Sequence, residues 1–249
     1  MRVLCQGLVA VLDALGASLF NDKQIESFVN NRQELLKALE KNATDAIIEG
    51  HTAKLARAEL DTFTFGDTLI VTYALEGELT GHAVVRFFTL IRQFLVDSLA
   101  NEILFRGAIG LGTFRQDSQT NTVMGEALSD AAAWHQRADW FGAVATPRMT
   151  LAIDRLLGDE KQQESKRWAF VPYDVPLKGG ASERLKCANW PKIFLVPDLV
   201  PGGDVSDPRR KFLSYLKNQP VPPGTESKYF NSLRFFDSCV QLEKARPLG

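Results

Sequence analysis

The order in which the apolar pattern changes its period along the first half of the chain constrains the fold more than any other feature. Val3 to Leu15 is a short apolar run of strand-forming residues. From Asp22, read as a helix cap, to Lys41 the residues Ile25, Phe28, Val29, Leu35, Leu36 and Leu39 recur at helical spacing. Glu59 to Phe65 and Thr68 to Tyr73 then read as two strands joined at Gly66-Asp67, a dipeptide suited to a tight hairpin. Gly81 to Asn101 is an amphipathic helix with a broad Val, Leu, Ile and Phe face, and Glu102 to Phe114 is a strand interrupted by Gly107, Gly110 and Gly112. Strand, helix, hairpin, helix, strand is the split βαβ order. It predicts an α+β fold, a ferredoxin-like palm whose sheet is covered by helices.

Further along, Arg115 to Asn121 reads as a polar turn, Glu126 to Asp139 as an Ala-rich helix, and Ala143 to Met149 as a short strand before a helix through Leu157. Beyond Gly158 charged residues and prolines dominate, with helices expected over Pro208 to Lys217 and Thr225 to Lys244. The chain therefore divides into residues 1–157, expected to carry any activity, and residues 158–249, a strand and helix extension packed on the same domain or on a dimer.

Composition narrows the partners. With 249 residues and 45% hydrophobic content the chain can bury a full core. A formal net charge of -1 provides no general field for nucleic acid or anionic lipid, so a polyanion must be held by a local cluster. Cys5, Cys187 and Cys239 are too few and too scattered for a disulfide framework or a zinc site, which fits a cytoplasmic protein. The apolar run at the start is interrupted by Asp13 and reads as a central strand, neither a signal peptide nor a membrane span.

Two carboxylates stand against this apolar background. Asp13 follows Ala10-Val11-Leu12, and Asp67 lies between Phe65-Gly66 and Thr68-Leu69-Ile70-Val71. An ionised carboxylate beside an apolar sheet loses hydration that a cation or several donors must replace. Hard cations such as Mg²⁺ or Mn²⁺ take one or two carboxylates together with substrate phosphates. The bland readings remain beside this one: Asp67 as a self-satisfied turn residue, Asp13 as a helix cap, and Phe63 as a core aromatic of its strand.

The ordered set Asp13-Ala14-Leu15-Gly16, Phe65-Gly66-Asp67, Arg106-Gly107-Ala108-Ile109-Gly110-Leu111-Gly112 and Gly125-Glu126-Ala127-Leu128-Ser129-Asp130-Ala131-Ala132 resembles class III nucleotidyl cyclases. Within that class it is most similar to the stand-alone pyrimidine cyclases of the Pycsar antiphage system, over roughly Val3 to Met149. The resemblance implies two Mn²⁺ or Mg²⁺ ions per site, held by Asp13, Asp67 and the backbone at Ala14. It places the triphosphate over Leu15, Gly16 and the residues to Phe20. It also implies a head-to-tail homodimer with shared active sites, converting UTP or CTP to a 3′,5′-cyclic monophosphate and pyrophosphate as an antiviral signal.

Purine cyclases of the class read adenine through a Lys and an Asp at positions that hold Phe63 and Thr122 here. Phe63 offers bulk without a donor, which disfavours adenine, and the Thr122 hydroxyl can serve either pyrimidine. UTP is preferred because the resembling group includes uridylate cyclases. The usual transition-state Asn and Arg fall on Ser129 and Ala133. Arg106, ahead of Arg115 and Arg137, is the expected replacement for the missing cation. Two other readings stay open: a degenerate palm that binds nucleotide or a partner without turnover, and a palm-type polymerase or oligonucleotide synthase.

Overall fold

The computed structural model describes residues 4–17, 20–48, 58–158, 166–196, 207–217, 219, 221 and 223–245. It is an α+β structure built on one mixed sheet, compatible with a palm-like fold. Strand β1 (Cys5–Ala14) leads to helix α1 (Asp22–Ile48), the hairpin β2 (Ala58–Phe65) and β3 (Thr68–Leu75), helix α2 (Gly81–Ala100) and the long strand β4 (Phe105–Asp117). After them come β5 (Thr122–Gly125), α3 (Glu126–His135), β6 (Gly142–Ala145) and α4 (Pro147–Leu157). The hairpin β7 (Phe170–Pro176) and β8 (Ser182–Ala188), a 3₁₀ turn at Trp190–Leu195, α5 (Pro208–Leu216) and α6 (Glu226–Lys244) complete the described chain.

The sheet runs β2-β3-β1-β4-β6-β8-β7, with β5 paired to β4. Its first four strands are antiparallel to their neighbours, and β6 joins β4 in parallel. β1 is central, and its near-continuous apolar run suits a strand covered on both faces. Leu8, Ala10, Leu12 and Ala14 belong to the larger core, together with apolar residues of α1 and α2. Val9 and Val11 belong to a second cluster with Phe63, Ile70, Phe114, Ala127 and Ala131, so α3 covers the opposite face. Gly110 permits that cover: a Cβ there would stand 2.4 Å from the Ala127 carbonyl oxygen and 2.9 Å from the Ala131 nitrogen. No side chain fits between β4 and the backbone of α3.

Several boundaries differ from the sequence expectations for identifiable reasons. Asn21, rather than Asp22, caps α1. The Gln24 amide donates to Asn21 Oδ1 and the Asn21 amide to Gln24 Oε1, both at 3.0 Å, a reciprocal capping box. The expected turn from Arg115 is strand as far as Asp117, because β5 returns to pair with it from Thr122. The expected strand to Met149 stops at Ala145. Thr146 caps α4 by accepting from the Met149 amide, and Pro147 supplies a helical first residue.

The segment beyond Gly158 extends the same sheet. β8 pairs with β6 through Val144 and Cys187, and β7 closes that edge. Over this region α6 packs its Phe235 against Trp140 at 4.5 Å and Tyr173 at 4.9 Å between ring centroids. Aromatic pairs of this kind add about 0.5–1.5 kcal/mol each beyond the area they bury. Two polar ties fix the helix to the segment before β6: the Phe141 amide donates to Ser232 Oγ at 2.8 Å, and Asn231 Nδ2 to the Asp139 carbonyl at 2.8 Å. Among the described residues no helix is long and apolar enough to cross a membrane.

Candidate functional site

Register determines where the acidic residues meet. Asp13 lies opposite Thr68 of β3 on one side and Arg106 of β4 on the other. Directly opposed residues of an antiparallel sheet project to the same face. Arg106 Nη2 donates to Asp13 Oδ2 at 3.1 Å, and Thr68 Oγ1 reaches Asp13 Oδ1 at 3.4 Å. This ion pair is largely withdrawn from solvent, with side-chain exposures of 10% for Arg106 and 16% for Asp13.

Asp67 occupies the second position of the β2–β3 turn. Gly66 before it has φ 61°, and Asp67 has no positive φ, the pattern of a two-residue hairpin with Gly leading. The turn is tied from both sides: the Ala14 amide donates to the Asp67 carbonyl at 3.2 Å, and Arg32 Nη1 donates to the Gly66 carbonyl. The chain leaving β1 is held as well, through the Leu15 amide and the Leu104 carbonyl at 2.7 Å. Gly16, at φ 80°, then turns it toward α1.

These elements enclose one cavity of about 310 Å³. Asp13, Ala14, Leu15, Gly16, Asp67 and Arg106 all line it. Six residues singled out from the sequence thus share one concave site. No protein-family model matches the chain, and no curated protein matches it.

The remaining wall was not foreseen. Thr225, Lys228 and Tyr229, at the start of α6, also line the cavity. Burial disfavours the charged form of Lys228 and lowers its pKa; the Arg106 and Lys178 cations act in the same direction, and Asp139 and Asp13 oppose them. The one available signal was the Pro222-Pro223-Gly224 break, which starts a helix with a Lys and a Tyr in its first turns. Nothing in the sequence ties that turn to Asp13.

Other expected site residues lie elsewhere in the subunit. Phe63 is 1% exposed and packs in the second apolar cluster with Ile70, Phe114 and Val123, as the bland reading of a strand aromatic requires. Thr122 opens β5, where its hydroxyl donates to the Thr120 carbonyl at 3.1 Å. Ser129 is exposed on α3. Of the three candidate arginines, Arg115 is exposed and Arg137 lies over the Trp134 ring at 4.3 Å. Arg106 alone of these lines the cavity. Residues 18–19 of the expected phosphate segment lie outside the described residues.

Asp13 and Asp67 both line the cavity, and no group of three or more His, Cys, Asp or Glu gathers among the described residues, so a hard divalent cation would find at most two carboxylates there. An ion held there takes its remaining ligands from water and phosphate, the usual habit of Mg²⁺. Arg106 already occupies one of the two Asp13 oxygens, Oδ2.

Proposed function

We propose that this chain is a metal-dependent nucleotidyl cyclase acting on a pyrimidine ribonucleoside triphosphate, with UTP preferred to CTP, in a class III cyclase-like palm. The observation that carries the reading is the convergence of Asp13, Asp67 and Arg106 on one cavity beside the Ala14–Gly16 turn. Mg²⁺ or Mn²⁺ bound at the two carboxylates would lower the pKa of the ribose 3′-hydroxyl and neutralise charge on the departing group. Asp13 and Asp67 position that charge compensation from a strand end and a tied turn. The 3′-oxygen bonds to the α-phosphorus as the bond from that phosphorus to the pyrophosphate oxygen breaks, and the hydroxyl proton passes to solvent. Arg106 offers its guanidinium to the non-bridging oxygens where charge accumulates. Phe63 is closed inside the second apolar cluster and is left without a role in base reading, whereas Thr122 and Ser129 lie away from this cavity within one subunit, which is consistent with base contacts supplied across a head-to-tail homodimer.

The test incubates the full chain separately with the four ribonucleoside triphosphates and Mn²⁺ or Mg²⁺, and identifies products by mass spectrometry. Cyclic UMP, or cyclic CMP, with pyrophosphate is expected; a cyclic purine as the sole product overturns the pyrimidine assignment. Asp67→Ala is expected to abolish pyrophosphate release with the melting temperature nearly unchanged, because its side chain faces the cavity and its turn is held through backbone atoms.

One observation favours a second reading. Arg106 already sits on Asp13, supplying internally the positive charge that a metal would bring. A cyclase-like palm that binds nucleotide without turnover needs no more than this. Saturable UTP binding with no pyrophosphate released under any divalent cation would select it.

A further inference from the structure

We infer that Arg106 and Lys228 form the cationic walls of a subsite for linked phosphates, and that α6 is therefore part of the ligand site. This deepens the reading above and rests on the same cavity. Arg106 carries the first argument. Its Nη2 is spent on Asp13, whereas Nε and Nη1 are buried and make no hydrogen bond among the described residues. Buried guanidinium donors without acceptors are costly, and because Arg106 also lines the cavity, a turn of its head toward that space would give them an anion as acceptor. The Arg fork matches two phosphate oxygens at once.

Lys228 carries the second argument independently. It stands in the first turn of α6, half-buried on the wall that also holds Thr225 and Tyr229. Arg106 and Lys228 come from different elements and line the same cavity, where burial first and then the Arg106 cation disfavour the charged form of Lys228, against the pull of Asp139 and Asp13. An anion with several charged groups removes that conflict better than a single carboxylate can. The N-terminal end of the nineteen-residue α6 adds its partial positive charge to the same wall. Because Asp13 and Asp67 line the cavity too, the phosphates are expected to arrive with a divalent cation.

Calorimetric titration of the full chain with inorganic tripolyphosphate in Mg²⁺, and separately with UTP in Mg²⁺, tests the inference. Wild type is expected to bind both. Lys228→Gln should weaken both by about tenfold or more, the scale of one charge-assisted hydrogen bond, and Lys228→Arg should restore most of the loss. Binding of UTP but not tripolyphosphate, with the same Lys228 dependence, assigns the subsite to a nucleotide's phosphates and supports the inference. Unchanged affinity in Lys228→Gln, equal loss in Lys228→Gln and Lys228→Arg, or no binding of either ligand by wild type overturns it. Lys228-dependent binding without cyclic product leaves this inference standing and removes the cyclase reading. Turnover with a KM indifferent to Lys228 does the reverse.

Discussion

At the scale of single residues, the Asp13–Arg106 pair ties stability to the proposed chemistry. Two charges withdrawn from water hold each other, and removing one strands the other without compensation. Arg106→Ala is accordingly expected to lower the unfolding free energy by about 3 kcal/mol, the lower end for a broken buried pair because some exposure remains. The double replacement with Asp13→Ala should cost less than the sum of the two single changes, and urea denaturation of all four proteins measures that coupling. Equal additivity would mean that the pair contributes nothing beyond its separate contacts. In use, the same pairing means that any cation arriving at Asp13 meets an occupant, and displacing Arg106 frees a third guanidinium donor for an incoming anion. Residue-level reading of the sequence located Asp13 and Asp67 because each sets a charge against an apolar strand, whereas Arg106 was reached through the resemblance, as the replacement for a missing cation. Lys228 broke no local rule. A Lys in the first turns of a surface helix is unremarkable until tertiary contacts show what it faces.

At the scale of elements, glycine spacing and caps explain where the parts touch. α3 lies directly on β4 at Gly110, and Gly110→Ala is expected to cost about 1–3 kcal/mol by lifting the helix from the strand. Faster amide exchange confined to α3 and β5 in that variant would show that the loss is local; uniform acceleration across the sheet would contradict it. The split βαβ order was legible because the period of apolar residues switches cleanly from strand to helix and back over β1 to β4. The shorter pieces were not. β5 has four residues and exists through pairing with β4, and β6 ends when Thr146 and Pro147 start a helix. In such short stretches partner and cap outweigh periodicity. Phe63 illustrates the same limit: its position before Gly66-Asp67 invited a role in base reading, while its parity with Val9 and Val11 puts it in the second core.

At the scale of the whole molecule, the described residues beyond Gly158 are part of the architecture and not an appendage to it. β7 and β8 carry the sheet outward from β6, and the rings of Trp140, Tyr173 and Phe235 lock α6 across that extension. Phe235→Ala should reduce stability by about 3–5 kcal/mol, the range for deleting a buried aromatic ring. It should also weaken tripolyphosphate binding although Phe235 does not line the cavity, because it seats the helix that carries Lys228. Thermal melting and the phosphate titration together check this, and loss of stability with full retention of affinity would break the proposed link. Composition and proline content marked this last third of the sequence as different in kind, yet long-range aromatic packing has no signature in local spacing.

The cavity joins β1, near the start of the described chain, to α6, near its end. Its assembly therefore waits on partners far apart in the sequence, a closure that folding reaches late. While the protein is being made, the acidic and cationic side chains of β1, β2–β3 and β4 emerge from the ribosome long before Lys228 does. A chain that has emerged only through β4 thus presents the acidic and Arg106 walls of the cavity bare, and Lys228 joins them only once α6 has been made.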